Sequence, residues 1–248
     1  MNKRIGSSER LVVVLLAVCI IAAWLLSSVP IAWAGDGTPT PPRMRETVPT
    51  RTPTATPTAP PCGPTEVTGG IIDVDTIWYQ ACSPFTVTGN ILVDSGVTLT
   101  IEAGVTVKFA SGKALQVNGT LVARGTSGNP IVFTSNATNP APGDWVYLFF
   151  ADSSTDATLD ANGNYVSGSI FEYCEVRYGG GTGSTGAVQV DRASPLIDHC
   201  TISNSGTAGV SLSQSNSRVR YSTITNNRHD GISTQSSWNI FTSNTCNV

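Results

Sequence analysis

The sequence predicts an all-β solenoid, a stack of coils built from short parallel strands, and three observations point there. Charged residues make up only 12% of the 248, and Gly, Ser, Thr and Asn dominate the remainder that is not apolar, which is the composition of a turn-rich β protein. Apolar residues alternate with polar ones in short runs, as strands require. The chain also returns on itself: segments 16 to 26 residues apart superpose apolar place on apolar place. So short a repeat leaves no room for crossover helices, so strands of two to five residues must pair in parallel between coils, about 4.8 Å apart.

The N-terminus precedes that stack. Lys3, Arg4 and Arg10 flank a 16-residue uncharged run, Leu11 to Leu26, and Ala32-Trp33-Ala34 carries small residues at the spacing signal peptidase reads. Residues 1–34 therefore read as a signal peptide cleaved after Ala34. Because Leu11 to Ala34 holds no charge, the same segment also suits an uncleaved anchor across a bilayer of about 30 Å, the one route to a membrane that the sequence offers. Both readings place the protein outside the cytoplasm, secreted or at the cell surface. Cys19 follows Val18, where a lipoprotein site expects a small residue. Residues 35–61 are rich in Pro and Thr and too poor in apolar residues to pack, so they form a disordered linker that can span up to about 80 Å. Residues 62–90 are expected to cap the N-terminal end, and 91–248 to form the coils.

Within the coils the alternation runs Val97, Leu99, Ile101; Val105, Val107, Phe109; Leu115, Val117; Leu121, Ala123; Ile131, Phe133. Adding 16 to Leu99, Ile101, Val105 and Val107 reaches Leu115, Val117, Leu121 and Ala123, which suggests short coils here. The C-terminal third repeats more slowly. Phe171, Ile197, Val219 and Phe241 form one apolar column, Val176, Ile202, Ile224 and Cys246 a second, and Val188, Val210 and Ile232 a third. Offsets in the first two are 26, 22 and 22, the surplus four residues falling in the Gly179 to Gly186 loop, where a solenoid accepts insertions.

The stretches G-V-T-L-T-I-E-A-G-V-T-V-K-F, N-G-T-L-V-A-R-G-T and N-P-I-V-F-T-S resemble the N-terminal coils of secreted right-handed parallel β-helix proteins, the pectin-lyase-like superfamily. The resemblance covers about Val87 to Val248. It implies a right-handed parallel β-helix, and it leaves function open, because that scaffold serves polysaccharide lyases, glycoside hydrolases, adhesins and modules without chemistry. Leu196-Ile197-Asp198-His199-Cys200-Thr201-Ile202-Ser203 is similar to the W-I-D-H stretch of pectate lyases, whose β-helix carries acidic calcium ligands and an arginine base. It departs where Pro195-Leu196 replaces the Trp lead-in, and no R-x-P-x-x-R follows. Of the polygalacturonase set N-T-D, D-D, G-H-G and R-I-K, only a superficial match at Arg228-His229-Asp230-Gly231 is present. No catalytic residue and no cofactor follow from these comparisons.

Five cysteines lie beyond the leader, so one must be unpaired. Cys62 and Cys82 bracket about 20 residues at the start of the domain, and a disulfide between them would clamp the N-terminal end with roughly 3 kcal/mol. Cys174 and Cys200 share a place in adjacent coils, near enough for a disulfide and equally suited to a stack of free thiols. Cys246 has no neighbouring partner.

Three further features are candidates for a site. Tyr173, His199, Tyr221 and Ser243 stand beside the cysteine column, a ladder of rings at rung spacing on which sugar rings can stack, or else an exposed column without a ligand. Asp160, Asn162 and Asn164 place oxygens at i, i+2 and i+4 as a calcium loop begins, but Tyr165 stands where its glycine belongs and Phe171 where its glutamate belongs, so an Asn–Gly turn is expected and no metal site. Asn204 and Asn226 match in successive coils and suit left-handed turns whose amides bond the next coil.

Two function classes remain: an exported noncatalytic module contacting a polysaccharide or cell-surface glycan, and a polysaccharide lyase or glycoside hydrolase. Outward strand places in the last coils read Glu175, Arg177, Thr201, Ser203, Thr223 and Thr225, with hydroxyls prevailing, and this favours the first class. Val248 falls where a strand closes, so further coils or a covering partner are expected beyond it.

Overall fold

The computed structural model describes residues 62–247; the signal peptide and linker expected over 1–61 lie outside them. Three parallel sheets of eight, seven and seven strands run the length of the stack, and each coil visits the first, second and third sheet in turn. The stack begins earlier than expected. Residues 62–90, read as a cap, already supply a complete coil in the strands Thr65–Val67, Gly70–Ile72 and Thr76–Trp78. Phe85–Val87, Ile91–Val93 and Thr98–Ile101 follow as the second coil. The Cys62–Cys82 disulfide, with Cα atoms 4.9 Å apart, ties the entry of the first coil to its exit.

The three C-terminal columns stack as the repeat implies: Phe171 on Ile197, Ile197 on Val219, and Val219 on Phe241, with Val176–Ile202–Ile224–Cys246 and Val188–Val210–Ile232 beside them. The offset of 16 does not describe a coil. Leu99 stacks on Leu121, 22 residues away, while Leu115 lies in the second sheet between Ile91 and Leu148. Inward places on all three sheets alternate with the same period of two, so sliding the sequence from one sheet onto another still matches apolar to apolar. Only pairing in space separates the alternatives.

Large side chains fill the first four coils. Phe109 stacks on Trp145 at 4.5 Å, and Phe171 meets both Phe133 (5.3 Å) and Phe150 (5.7 Å). Each such burial contributes about 1.5–3 kcal/mol.

From Tyr173 onward the corners follow one rule. Tyr173, His199, Tyr221 and Ser243 turn from the third sheet into the first with φ near +50°; Tyr178, Asn204 and Asn226 turn from the first into the second; Arg192, Gln214 and Ser236 turn from the second into the third. A left-handed residue points two consecutive backbone N–H groups along the coil axis. The first bonds a carbonyl of the next coil, as His199 N–H does with Arg220 O. The second has no carbonyl opposite, and a side chain from the next coil accepts it instead: Cys200 N–H bonds Ser222 Oγ, Ser205 N–H bonds Asn227 Oδ1, Ser215 N–H bonds Ser237 Oγ, and Ser222 N–H bonds Asn244 Oδ1. The left-handed turns expected at Asn204 and Asn226 are present, but the bond to the neighbouring coil comes from Asn227, one place further on. The residue after the corner points inward, where its amide can reach the orphan N–H.

Candidate functional site

The corner between the third and first sheets carries the ring ladder. Because the left-handed residue of each coil projects its side chain outward at the same place, successive rings must lie one rung apart. Tyr173 and His199 stack at 4.7 Å and 23°, His199 and Tyr221 at 4.9 Å and 28°. Both faces of His199 are therefore covered by tyrosine. A sugar laid along the ladder meets ring edges, and free ring faces occur only at its two ends, of which Tyr221 is 51% exposed.

Beside the ladder, the outward face of the third sheet holds a row of charges, Arg124, Glu172, Asp198 and Arg220, on successive rungs. Arg124 Nε donates to Glu172 at 2.6 Å. Arg220 grips the buried Asp198 through Nε and Nη2, both at 2.8 Å from Oδ2. His199 Nδ1 lies 2.7 Å from Asp198 Oδ1, off the alignment of a hydrogen bond, and that oxygen is otherwise buried without a partner. Sequence reasoning missed this row by reading outward places on the first sheet alone. The signal was available: Glu172, Asp198 and Arg220 each follow, by one residue, a member of the Phe171–Ile197–Val219 column, and Arg124 follows Ala123, on which Phe171 stacks.

A hairpin, Thr158–Leu159 with Tyr165–Ser167, interrupts the fourth coil and folds against this row. Arg220 Nη1 donates to Gly163 O at 2.9 Å, and the Arg124 guanidinium lies 5.2 Å from the centre of the Tyr165 ring. Burial pushes the Tyr165 phenol up from its ordinary value. The hairpin turn is the expected Asn–Gly turn, with Gly163 at φ +82°. Asp160 Oδ1 accepts the Asn162 and Asn164 N–H groups, and Oδ2 accepts the Asn164 amide. Those donors, the Asn164 side chain foremost, hold the carboxyl below its usual value. Between hairpin and sheet lies a cleft of about 330 Å³, floored by Leu159 and Leu196 and edged by Asp156, Asp160 and Arg218.

The remaining sequence candidates lie apart from this arrangement. Cys174 and Cys200 are buried free thiols, and burial, reinforced by the Cys200 thiol, pushes Cys174 well above its ordinary value. Cys246 is free and exposed. Arg228, His229 and Asp230 are all exposed in the connection between the first and second sheets.

Comparison with known proteins agrees with this architecture. The family described as the pectate-lyase-like β-helix domain matches residues 70–194, and the right-handed β-helix region matches 149–248. The chain belongs to this pectate-lyase-like, right-handed β-helix family. It is also similar to protein bark beetle of Drosophila melanogaster, 44% identical over 73 residues, 29% of this chain and 2% of that protein, so the chain spans only a small part of that relative. No solved structure matches the chain.

Proposed function

We propose that the protein is an exported, noncatalytic β-helix module that contacts glycans at the cell surface or in the secreted space. The observation that carries this reading is the pairing of its carboxylates. Glu172 is bound to Arg124, Asp198 to Arg220, Glu175 to Arg177 and Asp191 to Arg192, so the acids on the strands of coils four to six are held in ion pairs. Glycoside hydrolysis needs one carboxyl free to give a proton and a second free to attack or to activate water. Apart from Asp156, Asp160 and Arg218 at the edge of the cleft, these coils otherwise present mainly hydroxyls, amides and ring edges. The Cys62–Cys82 disulfide is compatible with an oxidising compartment, in line with the leader read over residues 1–34.

One observation favours a second reading, cleavage of a polysaccharide: the Asp198–Arg220 pair lies beside His199 under a hairpin that borders a cleft. Incubating the purified protein with acidic and neutral polysaccharides, with and without calcium, separates the two. The module reading expects retention on a glycan array and neither unsaturated nor reducing-end products; calcium-dependent release of either product overturns it.

A further inference from the structure

The corner between the first and second sheets carries a polar pocket that neither the ladder nor the hairpin cleft includes. Four successive coils contribute to it, through Gly143, Gly180, Gly206 and Arg228. Backbone bonds tie these corners together: Gly143 N–H and Gly206 N–H both donate to Gly179 O, and Arg228 N–H donates to Ser205 O. Gly180, Gly206 and Arg228 therefore hold one place in three stacked coils, and only the last of them carries a side chain. Packing excludes one at the other two. A Cβ at Gly180 would collide with Ser205 Oγ, and one at Gly206 would lie 2.7 Å from Gly180 O. The result is a floor of bare backbone closed at one end by a guanidinium.

The residues inserted in the fifth coil form the side wall. Gly181 to Ser184 make a tight turn in which Ser184 N–H bonds Gly181 O and Gly183 has φ +85°. Ser184 Oγ donates to Gly181 O at 2.8 Å and lies 3.2 Å from Thr207 Oγ1, so a hydroxyl pair joins the wall to the next coil. Thr182 adds a third hydroxyl, and the N–H groups of Thr182 and Gly183 have no partner among the described residues. The space enclosed is about 290 Å³, room for an ion together with part of a group that carries it.

Charge selects the occupant. Six arginines lie among the described residues. Arg124, Arg177, Arg192 and Arg220 are held in ion pairs, and Arg218 shares the hairpin cleft with Asp156 and Asp160. Arg228 has neither, for no carboxylate lines its pocket. Asp144, next to Gly143, already accepts Ser135 Oγ and the Ala141 N–H, and Asp230 forms no ion pair with Arg228. A guanidinium left uncompensated among neutral donors favours an anion with oxygens to receive them all. The donors stand on three elements: the end of the floor, the inserted turn and the Thr207 corner. A planar carboxylate offers two oxygens to such a set, whereas a tetrahedral oxyanion offers three or four, directed to different sides.

We infer that this corner binds a tetrahedral oxyanion, carried as a phosphate or sulfate ester and held by the Arg228 guanidinium together with the hydroxyls of Thr182 and Thr207. The inference goes beyond the glycan-contacting reading, because it concerns a separate place on the coils and needs no sugar.

The test is titration of the isotope-labelled exported protein with inorganic sulfate, inorganic phosphate and acetate, followed through the backbone amide signals at low ionic strength, where surface charge is least screened. Sulfate and phosphate are expected to shift the Thr182, Gly183, Thr207 and Arg228 signals saturably, and acetate to bind about tenfold more weakly. Arg228→Gln, a change to an exposed side chain, is expected to weaken oxyanion binding about tenfold or more; Arg228→Lys is expected to weaken it less, since it keeps the charge and loses the fork. Arg218→Gln is expected to leave affinity within about twofold. Phenyl phosphate and phenyl sulfate then separate the two sources, the tighter binder naming the ester. Shifts that do not saturate, or binding that survives Arg228→Gln, overturn the site. Acetate binding as tightly as sulfate overturns the tetrahedral class, and exclusion of both phenyl esters overturns the ester.

Discussion

The first four coils and the last three solve the same geometric problem with different residues. Up to Phe171 every corner residue with positive φ among the described residues is glycine, as at Gly96, Gly104 and Gly112; beyond it ten non-glycine residues adopt that conformation. The core differs in step. The early coils are filled by Phe109, Trp145, Phe133 and Phe150, whereas the later ones bury Ser205, Ser215, Ser217, Ser222 and Asn227. These polar residues are linked to the corners: a left-handed non-glycine residue costs about 1–2 kcal/mol and leaves a second N–H unpaired, and the next coil's Ser or Asn satisfies that N–H. Both halves share one apolar core, filled by large aromatic rings in the early half and by aliphatic columns such as Val176–Ile202–Ile224 in the later half; the later half adds a repeated hydrogen-bond device that also lines up side chains at one-rung spacing. The ring ladder is a by-product of that device.

Substitutions can break this contrast, and the largest effect is expected in the half filled by aromatic rings. Phe171→Ala removes a ring packed against Phe133 and Phe150 and is expected to cost about 3–5 kcal/mol in denaturant unfolding. A loss below about 1 kcal/mol would show that the junction between the halves is loosely packed. Asn227→Ala strands the buried Ser205 N–H and is expected to cost about 1–3 kcal/mol, with faster amide exchange at Ser205. An unchanged exchange rate there would mean that something other than the side chain satisfies the corner. Gln214→Gly probes strain directly. Gln214 sits at φ +48° with its side chain exposed; relief of about 1–2 kcal/mol against a glycine entropy cost of about 0.5–1 leaves a gain of up to about 1.5 kcal/mol. Destabilisation would show that these corners are not strained.

The smallest effect is local and depends on pH. The folded-state pKa of Asp160 is lowered, first by the Asn164 side chain, so its contribution to the hairpin is complete above the ordinary carboxylate value of about 3.9 and is lost as pH falls through the lower folded value. The Asn162 and Asn164 amide signals are expected to stay constant from neutral pH down to about 4 and to move only below it, with no change in the coil signals. Movement near neutrality would remove Asp160 as the cause.

The sequence by itself determined the class of fold and much of its register. Columns such as Ile197–Val219–Phe241 are written as a 22-residue recurrence because the inward places of a column must match from coil to coil. The Cys62–Cys82 clamp was likewise legible from spacing, and the hairpin turn from Asn162-Gly163. The early coils were misread because a period of two is common to all three sheets, and only strand pairing tells Leu99's neighbour Leu121 from its apparent match Leu115. Tertiary structure alone decided the candidate surfaces. That Arg220 reaches both Asp198 and Gly163, 57 residues away in the chain, depends on a hairpin folding over a sheet. That Gly143 borders one pocket with Gly180, Gly206 and Arg228 depends on which corners lie side by side. The physical reason is the same in each case: burial imposes a pattern along the chain, whereas the outward faces are free of that constraint, so their order in space can be read only once the coils are stacked.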